Sequence, residues 1–440
     1  MPGREQPSPL SPEEIVRLNR KHVFFSWSVQ KSVDPIPVAG GQGVYYWDAD
    51  GRRYLDFSSQ LMSLNIGYQH PKVVAAIQEQ AARLCAAHPA AAHEPKGVLG
   101  ERIAEVTPGD LNKVFFTLGG AEANENAVKF ARQYTGRQKI LARYISYHGA
   151  TYGAVTLSGD YRRPPVEPGI PGVIHCFDPY CYRCVFGYTP DICHRECITH
   201  IEQMIQYENP DTIAALIMEG VTGSNGILVP PDDYWPRLRE ITRKYGILLI
   251  SDEVMSGFGR TGKWFAVDHW DVVPDIMTIA KGLTSGYLPL GGVVVSNAIA
   301  QHFEDKMLYM GLTYYGHPLS CAAGIATLQV YKDEDLIGNS RRMGLVLAEE
   351  LARMKTRLPL IGDVRALGLF SAIELVRDRQ TREPLDAGCM NRIKARLLAD
   401  GLTTFVNKNM VFACPPLCIT QEELMGGLEI VERAIAAEVA

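Results

Sequence analysis

From about residue 75 to 335 the chain alternates amphipathic stretches with short, continuous apolar runs: Val114-Phe115-Phe116, Ala214 to Met218, Ile247 to Ile250, Ile276 to Ile279 and Gly292 to Val295. Runs this short and apolar at every position suit strands buried on both faces, and helical stretches between them predict a mostly parallel sheet. Lys139 to Ala142 reads as a further strand. Ahead of this region, Val44-Tyr45-Tyr46-Trp47 and Arg53-Tyr54-Leu55 are β-rich and flank Asp48-Ala49-Asp50-Gly51, whose glycine suits a tight connection, so they predict a hairpin. Ser11-Pro12-Glu13-Glu14 supplies an N-cap, a proline at the first helical position and acids in the first turn, which starts a short helix and leaves residues 1–10 as a loose tail. After Ser340, amphipathic helices lead to a last strand near Asn409 to Phe412, a break at Cys414-Pro415-Pro416 and a closing helix from Gln421. The pattern predicts an α/β protein of two lobes. Residues 76–335 form the large domain, and residues 336–440 form a smaller α+β domain to which the N-terminal segment 1–75 contributes.

Composition narrows the function. The 440 residues carry 44 basic and 49 acidic side chains, a net charge of −5, with no basic run of the kind that grips nucleic acid. The N-terminus has prolines and charges where a signal peptide needs an apolar stretch, and later apolar runs are too short to span a bilayer. A cytoplasmic protein acting on small molecules, with neither membrane nor nucleic acid as partner, is the expectation. Its ten cysteines would then be reduced thiols.

Four features carry candidate chemistry. Thr117-Leu118-Gly119-Gly120-Ala121-Glu122 follows a strand and opens a helix with an apolar face of Ala123, Ala127, Phe130, Ala131 and Tyr134. Glycines at a helix N-terminus make an anion site, although a tight turn without any ligand has the same pattern. Tyr147-His148-Gly149 follows the strand from Lys139 and puts an aromatic ring at the sheet edge where open α/β folds collect ligands. Asp252 follows the strand Gly246 to Ser251, where an unpaired charge is costly and a cationic ring nitrogen would serve as its partner. Lys281 follows Ile276 to Ala280 in the same way, one crossover later, where desolvation lowers an amine's pKa towards what imine formation needs. Each feature alone has an ordinary structural explanation, and their joint occurrence in this order is what points to a site.

With Ser251-Asp252-Glu253-Val254, Gly257-Phe258-Gly259-Arg260-Thr261-Gly262, Pro274-Asp275-Ile276, Ala280-Lys281-Gly282 and Thr313-Tyr314-Tyr315-Gly316-His317-Pro318, the chain resembles the class III aminotransferases among fold-type I pyridoxal-phosphate enzymes. The resemblance covers nearly the whole chain, from the hairpin to Pro415-Pro416-Leu417. It implies that Lys281 carries the cofactor as an imine, Asp252 bonds its ring nitrogen, Tyr147 stacks on one ring face with His148 beside it, and Val254 packs on the other. It further implies that backbone N–H groups of Gly120 and Ala121 hold the phosphate, joined by Thr313 from a second subunit, so that a homodimer is needed. Glu219, at the end of the strand from Ala214, is implied to lie near cofactor or substrate.

The chain also departs from the family. Gly119-Gly120-Ala121 stands where Ser-Gly-Ser is common, and Gly220-Val221-Thr222-Gly223 where enzymes acting on glutamate or 4-aminobutyrate have Pro-x-Gln. Thr222 is left as a candidate contact to the cofactor. This points to donors such as ω-amino acids, taurine-like aminosulfonates or primary amines, with a keto acid, pyruvate foremost, as acceptor. Phe405 occupies the position of the usual carboxylate-binding arginine, leaving Arg162, Arg163 or Lys408 to substitute. Trp27, Met62, Tyr152 and Phe405 are candidate substrate-side residues, each with ordinary core packing as its alternative.

Cys181, Cys184, Cys193 and Cys197, with Cys176, His194 and His200 nearby, have ligand types that suit zinc, although the spacing between the second and third is unlike common zinc motifs. The reading adopted is a loop of free thiols and no metal. Within the same cofactor class, a mutase, epimerase or decarboxylating transaminase is the alternative; outside it, a non-catalytic binding protein of this fold.

Overall fold

The computed structural model describes residues 10–439. The tail expected over residues 1–10 therefore falls, but for Leu10, outside the described residues, whereas the helix Pro12–His22 begins behind a Ser11 cap that accepts from the Glu14 N–H.

Seven strands form the central sheet: β1 Leu111–Thr117, β2 Lys139–Arg143, β3 Val173–Cys176, β4 Ile213–Glu219, β5 Leu248–Asp252, β6 Ile276–Ile279 and β7 Gly291–Ser296, in the spatial order β1-β7-β6-β5-β4-β2-β3. From β6 to β3 all neighbours are parallel, and β7 runs antiparallel to both β6 and β1. Every residue of β4, β6 and β7 is buried, as expected for strands covered on both faces. Helix Gly120–Thr135 lays Ala123, Ala127, Phe130 and Ala131 against Ile217, Ile250, Ile276 and Val293 of the sheet. It ends at Gly136 with φ of +70°, a left-handed cap that glycine adopts without strain.

The hairpin Tyr45–Asp48 and Arg53–Asp56 forms in register Tyr46 to Tyr54. A further strand, Val38–Gln42, extends it on one side, and Leu402–Thr403 from near the other end of the chain pairs in parallel on the other. The second small sheet joins Ile361–Ala366, Ser371–Asp378, Met410–Ala413 and Val406–Asn407, with Glu383–Pro384 pairing beside it. Helix Gln421–Ala436 closes the chain behind a reciprocal Thr420–Glu423 cap.

One buried cation ties these parts together. Arg260 is fully buried and donates to Ser59 Oγ (3.0 Å), Asn65 Oδ1 (2.7 Å), Leu369 O (3.1 Å) and Pro415 O. Its partners come from the N-terminal segment and from two places in the C-terminal part. No helix among the described residues is long and apolar enough to cross a membrane.

Candidate active site

The parallel strands end side by side, and their last residues bring the candidate side chains together. Glu219 closes β4 and pairs in register with Asp252, which closes β5 and in turn pairs with Thr278 of β6. Asp252 is therefore the strand's final residue rather than the one after it. Lys281 lies just past β6, with φ of +40°, a left-handed conformation costly for a lysine and held here by the short turn Lys281–Leu283.

These side chains border a cavity of about 270 Å³ lined also by Gly120, Ala121, Asn124, Tyr147 and His148, with Val254 and Met255. Asp252 is 3% exposed and accepts three hydrogen bonds: Asn124 Nδ2 (2.8 Å) and His148 Nδ1 (2.7 Å) on Oδ2, and the Val254 N–H (3.0 Å) on Oδ1. Asn124 is the hub, since its amide also donates to His148 O (2.7 Å) and accepts from Thr278 Oγ1 (2.7 Å). Its position on the buried face of a helix gives no sequence signal beyond a polar residue among alanines. Nothing in the pattern singled it out.

Glu219 accepts from the Tyr147 N–H (3.1 Å) and the Gly223 N–H (2.7 Å). Burial pushes its pKa upward, Asp252 adds to the rise, and His148 and Arg143 oppose it. Thr222 is fully buried and receives Arg143 Nη2 at 2.9 Å, so its hydroxyl serves the cation behind Glu219. Tyr147 is half-buried; desolvation raises its phenol pKa, against a lowering by Arg162.

Burial is also the largest influence on Lys281, lowering its pKa from 10.5 to about 8 against the opposing pull of Asp252 and Glu219. The amine is thus a free base over much more of the neutral range than an ordinary lysine. In the apoenzyme, labelling of Lys281 by trinitrobenzenesulfonate, followed by peptide mapping, should rise through an inflection near pH 8. An inflection near the ordinary lysine value would contradict the desolvated environment.

The helix Gly120–Thr135 opens towards the cavity with Gly119 as N-cap and no side-chain hydrogen bond there, which leaves its first N–H groups for an anion. A Cβ on Gly120 would stand 2.6 Å from Val254 Cγ1, so this residue must be glycine for helix and Val254 to approach.

Of the other expected residues, Trp27 stands edge-on to Tyr147, ring centres 6.2 Å apart. Met62 is 2% exposed and packs with Val221, Phe370 and Met410, and Phe405 stacks edge-on against Phe412 in the same cluster. Neither borders the cavity. Tyr152 is exposed, its hydroxyl on Pro168 O, and Thr313 is exposed and away from the cavity of its own chain. Arg163 pairs with Glu167 at 2.6 Å, and Lys408 is an exposed residue near Tyr161.

Cys181, Cys184, Cys193 and Cys197 are free thiols. His200 has both ring nitrogens engaged, Nδ1 with Glu196 O (2.9 Å) and Nε2 with the Phe177 N–H (3.0 Å). Among the described residues no three His, Cys, Asp or Glu side chains converge as a metal site.

Comparison with known proteins supplies the context. A family profile described as Aminotransferase class-III matches residues 28–435. A solved structure of taurine:2-oxoglutarate aminotransferase from Bifidobacterium kashiwanohense, in complex with PLP and glutamate, superposes with a TM-score of 0.94 at 42% identity, covering 98% of each chain. The leucine/methionine racemase of Thermococcus litoralis is 37% identical over 96% of this chain and 95% of its own. The taurine–pyruvate aminotransferase of Bilophila wadsworthia is 34% identical over 94% of this chain and 96% of its own.

Proposed function

The chain belongs to the class III aminotransferases, pyridoxal-phosphate enzymes of fold-type I, and from that premise we propose that it moves an amino group from an ω-amino acid, a taurine-like aminosulfonate or a primary amine to a keto acid, with pyruvate as acceptor. The observation that carries the reading is the convergence of Lys281, Asp252 and the open helix end at Gly120 on one cavity. A buried carboxylate suits a protonated ring nitrogen, an uncapped helix end suits a phosphate, and a desolvated amine suits an aldehyde, so the residues present fit the cofactor.

When bound, pyridoxal phosphate supplies a ring that takes up the electrons left as a proton leaves the substrate carbon next to nitrogen. In the proposed division of roles Asp252 keeps the ring nitrogen protonated, with Asn124 and His148 holding the carboxylate in place. Gly120 and Ala121 donate backbone N–H groups to the phosphate, while Tyr147 and Val254 flank the ring. Lys281 would take the proton from the substrate carbon next to nitrogen as general base and give it up again as general acid. Glu219 orients Tyr147 through its N–H. Thr313 completes the phosphate site of a second copy, which makes the enzyme a homodimer; its exposure on its own chain supports that role. The proposal places the enzyme in the cytoplasm, where its ten thiols stay reduced.

A donor screen against pyruvate and 2-oxoglutarate, followed by keto-acid consumption, tests this. Consumption of pyruvate with at least one ω-amino acid, aminosulfonate or amine, with ping-pong kinetics, is expected. No consumption with any of them would refute it. The racemase among the relatives favours one second reading, inversion at a substrate carbon. Loss of optical rotation from an amino acid with no keto acid present would establish that instead.

A further inference from the structure

Beyond β4 the chain makes a turn, residues 223–227, that forms part of the cavity wall. The Gly223 N–H donates to Glu219 Oε2 at 2.7 Å, and Ser224 borders the cavity, its Oγ accepting from Arg162 Nη2 at 2.8 Å. The Gly226 and Ile227 N–H groups both close on Gly223 O, at 3.1 and 3.2 Å. This backbone is costly. Gly226 has φ of +121°, and Ile227 has φ of +51°, a conformation that a side chain branched at Cβ resists. What holds the turn comes from the second small sheet. Asn407 Nδ2 donates to Ser224 O at 2.8 Å, and Arg365 Nε donates to Gly226 O at 2.7 Å. Arg365 is itself fixed, by Asp363 Oδ2 at 2.6 Å and by Glu374 Oε2 at 2.9 Å. The fully buried Ile227 side chain packs in one apolar cluster with Met410 and Phe412 of the same sheet.

We propose that Asn407 is a positioning residue for the active site: together with Arg365 it holds residues 223–227 against the cavity, and through the Gly223 N–H it sets the Glu219 carboxylate that acts on Lys281. This goes beyond the transaminase reading and needs from it only Lys281 as the reacting amine. Three physical links carry it. Two donors from another sheet and a buried apolar side chain over-determine a backbone that would otherwise relax. A carboxylate with two backbone N–H partners, here those of Tyr147 and Gly223, keeps its charge against burial better than one with a single partner. That charge reaches Lys281, whose protonated form Asp252 and Glu219 favour, while burial, Arg162 and Arg260 disfavour it. Around Glu219 itself, Asp252 opposes ionisation, and His148 and Arg143 favour it. The second small sheet thus acts on the reacting amine through one turn, although neither Asn407 nor Arg365 borders the cavity.

The pH titration of the bound cofactor's visible absorption band reads that charge in the holoenzyme, and trinitrobenzenesulfonate labelling of Lys281 reads it in the full chain without cofactor. In Asn407→Ala both midpoints should move down by about half a pH unit or more, because Glu219, without the Gly223 N–H, gives up its charge. Glu219→Gln should move them at least as far. Asn407→Ala added to Glu219→Gln should then change nothing further, the non-additivity expected of residues on one path. Gly223→Ala disturbs the same turn from the opposite side: its Cβ would run into Met255 Sδ and stand 3.0 Å from Glu219 Oε2, so it should lower the midpoints with Asn407 intact. An unchanged midpoint in Asn407→Ala, or in Gly223→Ala should Asn407→Ala not fold, would overturn the proposal. So would an Asn407→Ala shift that persists in full in the Glu219→Gln background. Labelling reads Lys281 whatever the enzyme turns over, so a failed donor screen would remove the transaminase reading and leave this test standing.

Discussion

Lys281→Ala should lower kcat by about 10^4-fold or more, the loss expected when one residue both anchors the cofactor and moves the proton. The fold should survive, because the amine makes no hydrogen bond that shapes the surrounding backbone and alanine relaxes nothing that β6 needs. Borohydride treatment of the parent holoenzyme should place a reduced cofactor adduct on the peptide carrying Lys281 and on no other. A variant keeping a tenth of the parent rate, or an adduct on another lysine, would remove Lys281 from its proposed role. The result bears on the whole site, since Asp252, Asn124 and the helix end at Gly120 have their meaning through what Lys281 holds.

The largest effect on stability is expected at Arg260. Arg260→Met keeps much of the side-chain volume but strips four buried acceptors of their donor: Ser59 Oγ, Asn65 Oδ1, Leu369 O and Pro415 O. Unsatisfied buried polar groups cost about 1–3 kcal/mol each, offset in part because no charge remains to be desolvated. A net loss of about 3–5 kcal/mol is expected, read from the urea midpoint at constant slope. A loss under about 1 kcal/mol would mean that water or a local shift replaces the guanidinium.

The strands of the large domain were readable because burial on both faces leaves an unbroken apolar run, as in Ile276 to Ile279. Asp252 and Lys281 stood out only together: a charge at the end of one such run has an ordinary structural explanation, and the order of glycine turn, aromatic, acid and lysine is what singled them out. Val38–Gln42 was not foreseen. Its Gly40 and Gly41 lower the strand propensity, yet a Cβ there would strike Trp47 at 2.7 Å and Tyr68 at 2.6 Å, so the strand exists because these residues are small. Met62 and Phe405 were plausible near the substrate by position along the chain, but their packing partners come from distant segments, and only the fold shows them in one apolar cluster. In the proposed dimer Thr313 serves another copy of the chain, and a pattern along one chain does not record what its exposed segments meet.

Asn124 has a consequence of scale. It sits in the second turn of the helix whose open end is Gly120, and its side chain bonds both Asp252, which lines the cavity, and Thr278 of β6. The two ends that the cofactor would reach under the proposed roles, helix terminus and carboxylate, are thus fixed by one helix and one amide. With the proposed roles, the cavity would work as a gauge of length, accepting a molecule by the span between its charges as well as by the charges themselves.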